Sequence, residues 1–209
     1  MKAHLAAVLV NIARDTEAEL LLREAVENDV NCKYLEATKN LASLHGIHGR
    51  HANAVEILEK CLKSVRDEWK KVKHNAEQTI DLKNDDYLKK KSKHLKTKLL
   101  AASVVDEVDS RDKQDMDYAE LYQQLGKHYR DMAKGEDGLE LNQKQHFLQR
   151  SVVAYEECLS LDSQQVKCSL GLAQLFHNAG AYTKAKDFYQ RTLELDPNNK
   201  NAKQNIALL

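Results

Sequence analysis

Apolar residues recur along this chain at spacings of three and four, in paired stripes separated by short polar breaks. The plainest pair lies within residues 166–199. Leu170, Leu172, Ala173 and Phe176 form one stripe, and Tyr182, Ala185, Phe188, Tyr189 and Leu193 form a second. Ala179-Gly180 separates them and Pro197 follows the second, where it stops a helix. The pattern predicts a helical hairpin. Small Ala173 and Ala185 stand where two helices can approach closely, and Phe176 and Tyr189 can fill the space beside them.

The spacing Leu172-Ala173-x2-Phe176, Ala185-x3-Tyr189 and Pro197 resembles a tetratricopeptide repeat (TPR), a pattern of about 34 residues. The departures are mild: Ser169 takes the Trp slot and Thr192 the second small-residue slot. Other stretches repeat the theme. Leu5, Ala6, Leu9, Ala18, Leu22, Ala25 and Val26 recur at an offset of 36 as Leu41, Ala42, His45, Ala54, Leu58, Cys61 and Leu62. Tyr122-x2-Leu125-Gly126-x2-Tyr129 maps onto Ser169, Leu172, Ala173 and Phe176 at an offset of 47. Ser151, Tyr155, Cys158, Leu159, Leu161 and Asp162 map onto Ala185, Tyr189, Thr192, Leu193, Leu195 and Asp196 at 34. The difference, 13 residues, reads as an insertion between the third unit's helices, placed at Gly135-Glu136-Asp137-Gly138 and the polar run to Gln145.

These registers divide the chain into two TPR-like hairpins (1–63), a long charged helical pair (64–116), two further hairpins (117–199), and the start of another helix or a cap (200–209). In the charged region Leu62, Val65, Trp69, Val72, Ala76 and Ile80 predict that the second unit's last helix runs on until Asn84-Asp85-Asp86. A further helix is expected from Tyr87 to about Val108. Met1 falls inside a repeat and Lys200–Leu209 opens one, so the expectation is a segment of a longer TPR protein or a truncated gene model, whose open ends allow self-association. The fold class implied by the resemblance is all-α, a right-handed superhelical solenoid of helical hairpins interrupted by the charged pair.

Composition narrows the function. One Pro, seven Gly and 6% aromatics suit a nearly all-helical chain, and 32 Lys+Arg balance 32 Asp+Glu, giving no net field toward nucleic acid or an anionic membrane. The longest apolar run, Leu5 to Val10, is far too short to span a bilayer. Cys32, Cys61, Cys158 and Cys168 include no C-x-x-C pair; Cys61 and Cys158 fill the small-residue slot that Ala25 fills, so they read as small buried hydrophobes in a reducing, cytoplasmic setting.

Candidate chemistry is sparse. His45-x2-His48-x2-His51 has spacing that could suggest metal, but Gly46 and Gly49 interrupt it and the positions read as packed or hinge histidines. The lysine-rich run from Lys89 to Lys98 adjoins an acidic stretch, Asp106 to Glu120, and lacks aromatics for base stacking, so it reads as a solvated helix rather than a nucleic-acid patch. A chaperone-type carboxylate clamp is not assembled: Ala3 and Ala7 stand where that family has Lys and Asn. No phosphate loop, paired catalytic carboxylates or Ser-His-Asp order is visible. The expectation is therefore a non-enzyme that needs no metal or cofactor.

What the resemblance implies is protein–protein interaction, with a partner peptide or helix held in a groove lined by the first helices of the hairpins. The polar residues expected there are Lys39, Asn40, Ser43, Gln123, Lys127, Lys167 and Gln174. The layout over roughly residues 52–195 also resembles the middle of the large TPR subunit of the intraflagellar transport A complex, which implies a scaffold in a ciliary transport assembly with other train subunits as partners. The alternative is a co-chaperone, or a regulatory or substrate-docking TPR module of an enzyme whose catalytic part is absent from these residues.

Overall fold

A computed structural model of the chain describes residues 15–27, 29, 32, 34–82, 116–135 and 139–209, with backbone alone at 68, 69 and 71–82. All the elements among them are helices: α1 (Asp15–Glu27), α2 (Leu35–Ile47), α3 (His51–Leu82), α4 (116–135), α5 (Leu141–Leu161), α6 (Val166–Asn178), α7 (Tyr182–Leu195) and α8 (Lys200–Ile206). The chain has an all-α, TPR-type fold: α2/α3, α4/α5 and α6/α7 are successive hairpins, α1 precedes them and α8 follows.

Local chemistry sets the turns. Gly49 and Gly180 close α2 and α6 with φ of +71° and +73°, where a side chain would be strained. In each turn the next residue's N–H reaches back five residues, Arg50 to the His45 carbonyl at 2.8 Å and Ala181 to that of Phe176 at 2.9 Å. Between hairpins, aspartates set the turn. Asp162 Oδ1 accepts the Gln164 N–H at 2.9 Å, and Asp196 Oδ1 accepts the Asn198 N–H at 3.2 Å. Gly46 lies inside α2, three residues before the turn glycine, and a Cβ there would stand 2.6 Å from the His128 ring.

The apolar stripes meet in adjoining clusters, formed within hairpins and between neighbouring ones. Leu22, Leu41 and Leu44 pack α1 on α2; Leu58, Val65, Leu121, Leu125 and Tyr129 join α3 to α4; Ala173, Ala185, Tyr189 and Ala202 join α6, α7 and α8. Tyr155 of α5 is wedged between two glycines on neighbouring first helices. A Cβ on Gly126 of α4 would lie 2.8 Å from its ring, and one on Gly171 of α6 2.6 Å from it. Such a chain of neighbour contacts is how a solenoid buries its core.

The long region is described only in part. α3 does run on, to Leu82, but its partner at Tyr87–Val108, the lysine run and the break at Asn84–Asp86 lie outside the described residues. Residues 64–116 interrupt the sequence without separating the hairpins, because α4 packs directly on α2 and α3. The 13-residue insertion also takes another form. Rather than a polar loop to Gln145, it lengthens both helices: α4 has 20 described residues and α5 has 21, against 13 and 14 in α6 and α7. The physical reason is local. Leu141, Gln143, Lys144 and Gln145 are good helix formers, and the Gln143 side chain accepts the Glu140 N–H at 3.2 Å, which starts the helix early.

The cysteine expectation is also corrected. Cys32 is bonded to Cys61 and Cys158 to Cys168, and no cysteine is free. Spacing concealed this because it is antiparallel helix packing that sets Cys32, three residues before α2, against α3, and the first turn of α6 against the last turn of α5.

Candidate functional site

The first helices α2, α4 and α6 lie side by side, held by polar ties between them. Lys39 of α2 reaches Glu120 of α4 at 2.7 Å and Asp117 at 3.7 Å, and also pairs with Glu36 at 3.0 Å on its own helix. These carboxylates raise its ammonium pKa against the burial that opposes them as the largest single influence. Further along, Arg130 of α4 donates to the Gln174 side-chain oxygen of α6 at 3.1 Å. Glu120, Gln123, Lys127, Arg130 and Lys134 recur at steps of three and four on α4, so one helical stripe passes from acid to base along its length.

The seven expected groove residues divide by role. Ser43, Lys127 and Lys167 are exposed; Asn40, Gln123 and Gln174 are half-buried. Lys39 and Gln174 are engaged in the ties just described. Sequence reasoning missed Glu120, Arg130 and Lys134, although their shared stripe with Gln123 and Lys127 was readable. It also missed a recess of about 250 Å³ where Lys134 meets Gln174, His177, Asn178, Tyr189 and Asn205. Amide, imidazole and ammonium donors converge there from α4, α6 and α8.

The second helices enclose two other clefts. One, about 440 Å³, lies among α1, α2 and α3 and is bordered by Arg23, Glu27, His45, Asn53, Lys60 and the Cys32–Cys61 bridge. Beside it Arg50 of the turn clasps Glu19 of α1 with two bonds, 3.0 and 2.7 Å, and this pairing holds the Glu19 carboxyl down at about 2. The other cleft, about 310 Å³, lies where α3 meets α4 and α5. There the Tyr129 hydroxyl is shared by Glu59 and Arg150, and burial with the Glu59 contact pushes its pKa up to about 12.

The three spaced histidines go to three different places. His45 is buried with its Nδ1 unpartnered, His48 Nε2 lies 3.2 Å from Asp15, and His51 Nδ1 faces Nδ1 of His128 at 3.1 Å. Burial, then the charge of His51, lowers the His128 pKa to about 4. No cluster of three or more metal-ligating side chains occurs among the described residues. Nor is any described helix long and apolar enough to cross a membrane.

The arrangement offers a long polar face and tied helices, the geometry of a binding surface. A family model, Tetratricopeptide repeat, matches residues 167–199. MamA shares the fold with a TM-score of 0.61 at 15% identity, over 97% of this chain and 81% of MamA. The thermophilic TPR protein TTC0263 of Thermus thermophilus superposes with a TM-score of 0.58 at 14% identity, over 99% of this chain and 80% of that one. Among curated proteins, the mouse Protein O-mannosyl-transferase TMTC1 is 32% identical over 66 residues, which is 32% of this chain and 7% of that relative. Fold and matched repeat together define a helical repeat protein of the tetratricopeptide type. That fold suggests a protein-interaction module.

Proposed function

We propose that the face built from α2, α4 and α6 is a partner-binding groove, and that the chain works as a scaffold holding a protein segment there. The observation that carries this is that exposed Ser43, Lys127 and Lys167 stand one on each of three first helices, which are locked together at Lys39–Glu120 and Arg130–Gln174. Tied helices make the face rigid before binding, so a partner need not supply the ordering energy. The groove in such repeats is extended, which suits a peptide or a helix laid along it.

The test is capture of partners by the chain and by a Ser43→Ala, Lys127→Ala, Lys167→Ala variant, with circular dichroism of both. All three residues are exposed, so helicity should be unchanged while capture falls. Undiminished capture would sink the groove reading, and so would loss of helicity.

A second reading is favoured by the named transferase relative. In it the chain is the docking or regulatory TPR part of an enzyme whose catalytic part lies outside these residues. The 66-residue match supports this over a ciliary transport-type assembly, which rests on layout alone. A longer gene product separates the two: a flanking catalytic domain supports the docking module, and flanking TPRs support the scaffold.

A further inference from the structure

The four cysteines are positioned too consistently for small hydrophobes chosen by packing alone. Cys61 and Cys158 occupy the same slot on the second helix of their hairpins, the slot that holds Ala25 in the first unit and Thr192 in the fourth. Ala25 and Thr192 show that the slot can be filled without sulfur. Where it is cysteine, a second cysteine stands opposite on both occasions, with Cα–Cα separations of 5.3 Å for Cys32–Cys61 and 6.5 Å for Cys158–Cys168. Both separations lie within the range a disulfide spans. Packing demands one small residue per slot; it does not demand the partner.

Each bridge also falls on a junction of the stack. Cys32 precedes α2 and ties the connection from the first unit to α3, enclosing all of α2 in its loop. Cys158 and Cys168 staple the last turn of α5 to the first turn of α6, across the boundary between the third and fourth hairpins. Solenoid units rely on their neighbours for stability, so junctions are where a cross-link restrains opening. A thiol pool at cytosolic poise would keep such pairs reduced, whereas oxidising compartments let them persist.

We infer that this chain folds and works in an oxidising compartment, with Cys32–Cys61 and Cys158–Cys168 as structural disulfides at two hairpin junctions. The oxidant is the disulfide form of a thiol oxidoreductase. A thiolate of the chain attacks one of its sulfurs, and the second cysteine of the pair then displaces the oxidoreductase from the mixed disulfide. Two electrons and two protons leave each pair, and the oxidoreductase ends as its dithiol. The groove reading does not depend on this, since none of its residues is a cysteine.

The experiment blocks thiols with N-ethylmaleimide in intact cells that make the protein, before lysis. The chain is then denatured and digested without reductant and analysed by mass spectrometry. The expected result is two cross-linked peptide pairs, Cys32 with Cys61 and Cys158 with Cys168, and no maleimide on any cysteine. Maleimide on most copies of any of the four, or cross-links in another pairing, would overturn the inference.

Discussion

The fourth hairpin and the joint between the second and third hairpins bury comparable helix faces by different means. In α6/α7 the contact is small, apolar and hydroxyl-bearing: Ala173 against Ala185 and Tyr189, Phe176 stacked on Phe188 at 5.7 Å between ring centroids, and Ser169 and Thr192 meeting at the Phe188 carbonyl. At the joint of α2 and α3 with α4, charged and titratable groups share the work: Lys39 with Glu120, Glu59 with Tyr129 and Arg150, and His51 with His128. The difference teaches that a regular repeat is stabilised by residues its own helices supply. A joint bridging 50 or so residues of intervening chain depends instead on specific partners far apart in sequence, and it inherits their sensitivity to pH.

The largest effect should come from the residue that couples the regular end to the rest. Tyr155 is about 2% exposed and sits between Gly126 and Gly171, which have no side chains to fill the space its ring would leave. Tyr155→Ala should cost about 4 kcal/mol, read as a fall of roughly 10 °C in midpoint by thermal melting. A loss under about 1 kcal/mol would show that the third and fourth hairpins do not share a core.

How much of this was legible in the sequence follows the same division. The fourth hairpin could be read directly, because Leu172, Phe176, Ala185 and Tyr189 sit at spacings that helical geometry imposes within one unit. The repeat of Asp162 at Asp196 likewise marked two turns built the same way. The joint could not be read. Nothing in the local pattern says that His51 meets His128, or that Lys39 finds Glu120 across 81 positions. The disulfides were hidden for the same reason, and the supposed loop to Gln145 was polar yet helical because its surface residues are good helix formers. As for the groove, the stripe from Glu120 to Lys134 was visible as a period, but its ties to α2 and α6 needed the fold.

The joint's titration provides a smaller, reversible way to separate the two regions. His128 is held neutral, its pKa down at about 4, while in the unfolded chain it titrates near 6.5. Between those values the unfolded state binds more protons, so stability falls as pH is lowered through the window. Going from pH 7 to pH 5 should cost about 2 kcal/mol from this group alone. Burial lowers His45 in the same direction and adds to the slope. Urea titrations at both pH values on the chain and on His128→Asn check this: the variant should lose most of the pH dependence. An unchanged slope would mean that the imidazole pair is not what makes the joint acid-sensitive.

The smallest effect is expected where sequence reasoning saw a departure from the repeat pattern. Thr192 stands in a slot that Ala25 fills elsewhere, and its hydroxyl lies 2.8 Å from the Phe188 carbonyl and 3.2 Å from Ser169 Oγ. Removing it leaves no buried group stranded. The Ser169 hydroxyl still reaches Phe188 at 3.1 Å, and α7 has ended only at Leu195, so the Phe188 carbonyl keeps its place in the helix ladder. Thr192→Ala should therefore cost about 1 kcal/mol, the lost hydrogen bond and buried methyl being partly offset by alanine's higher helix propensity, and Ser169→Ala no more. At the histidine joint the corresponding truncation leaves one ring nitrogen facing an empty partner, which is the more costly situation. Chemical denaturation of the two hydroxyl variants and their double settles the contrast. A loss above about 2 kcal/mol for Thr192→Ala would mean that the regular hairpin, too, is held by a buried polar anchor, and that the two regions differ in charge but not in kind.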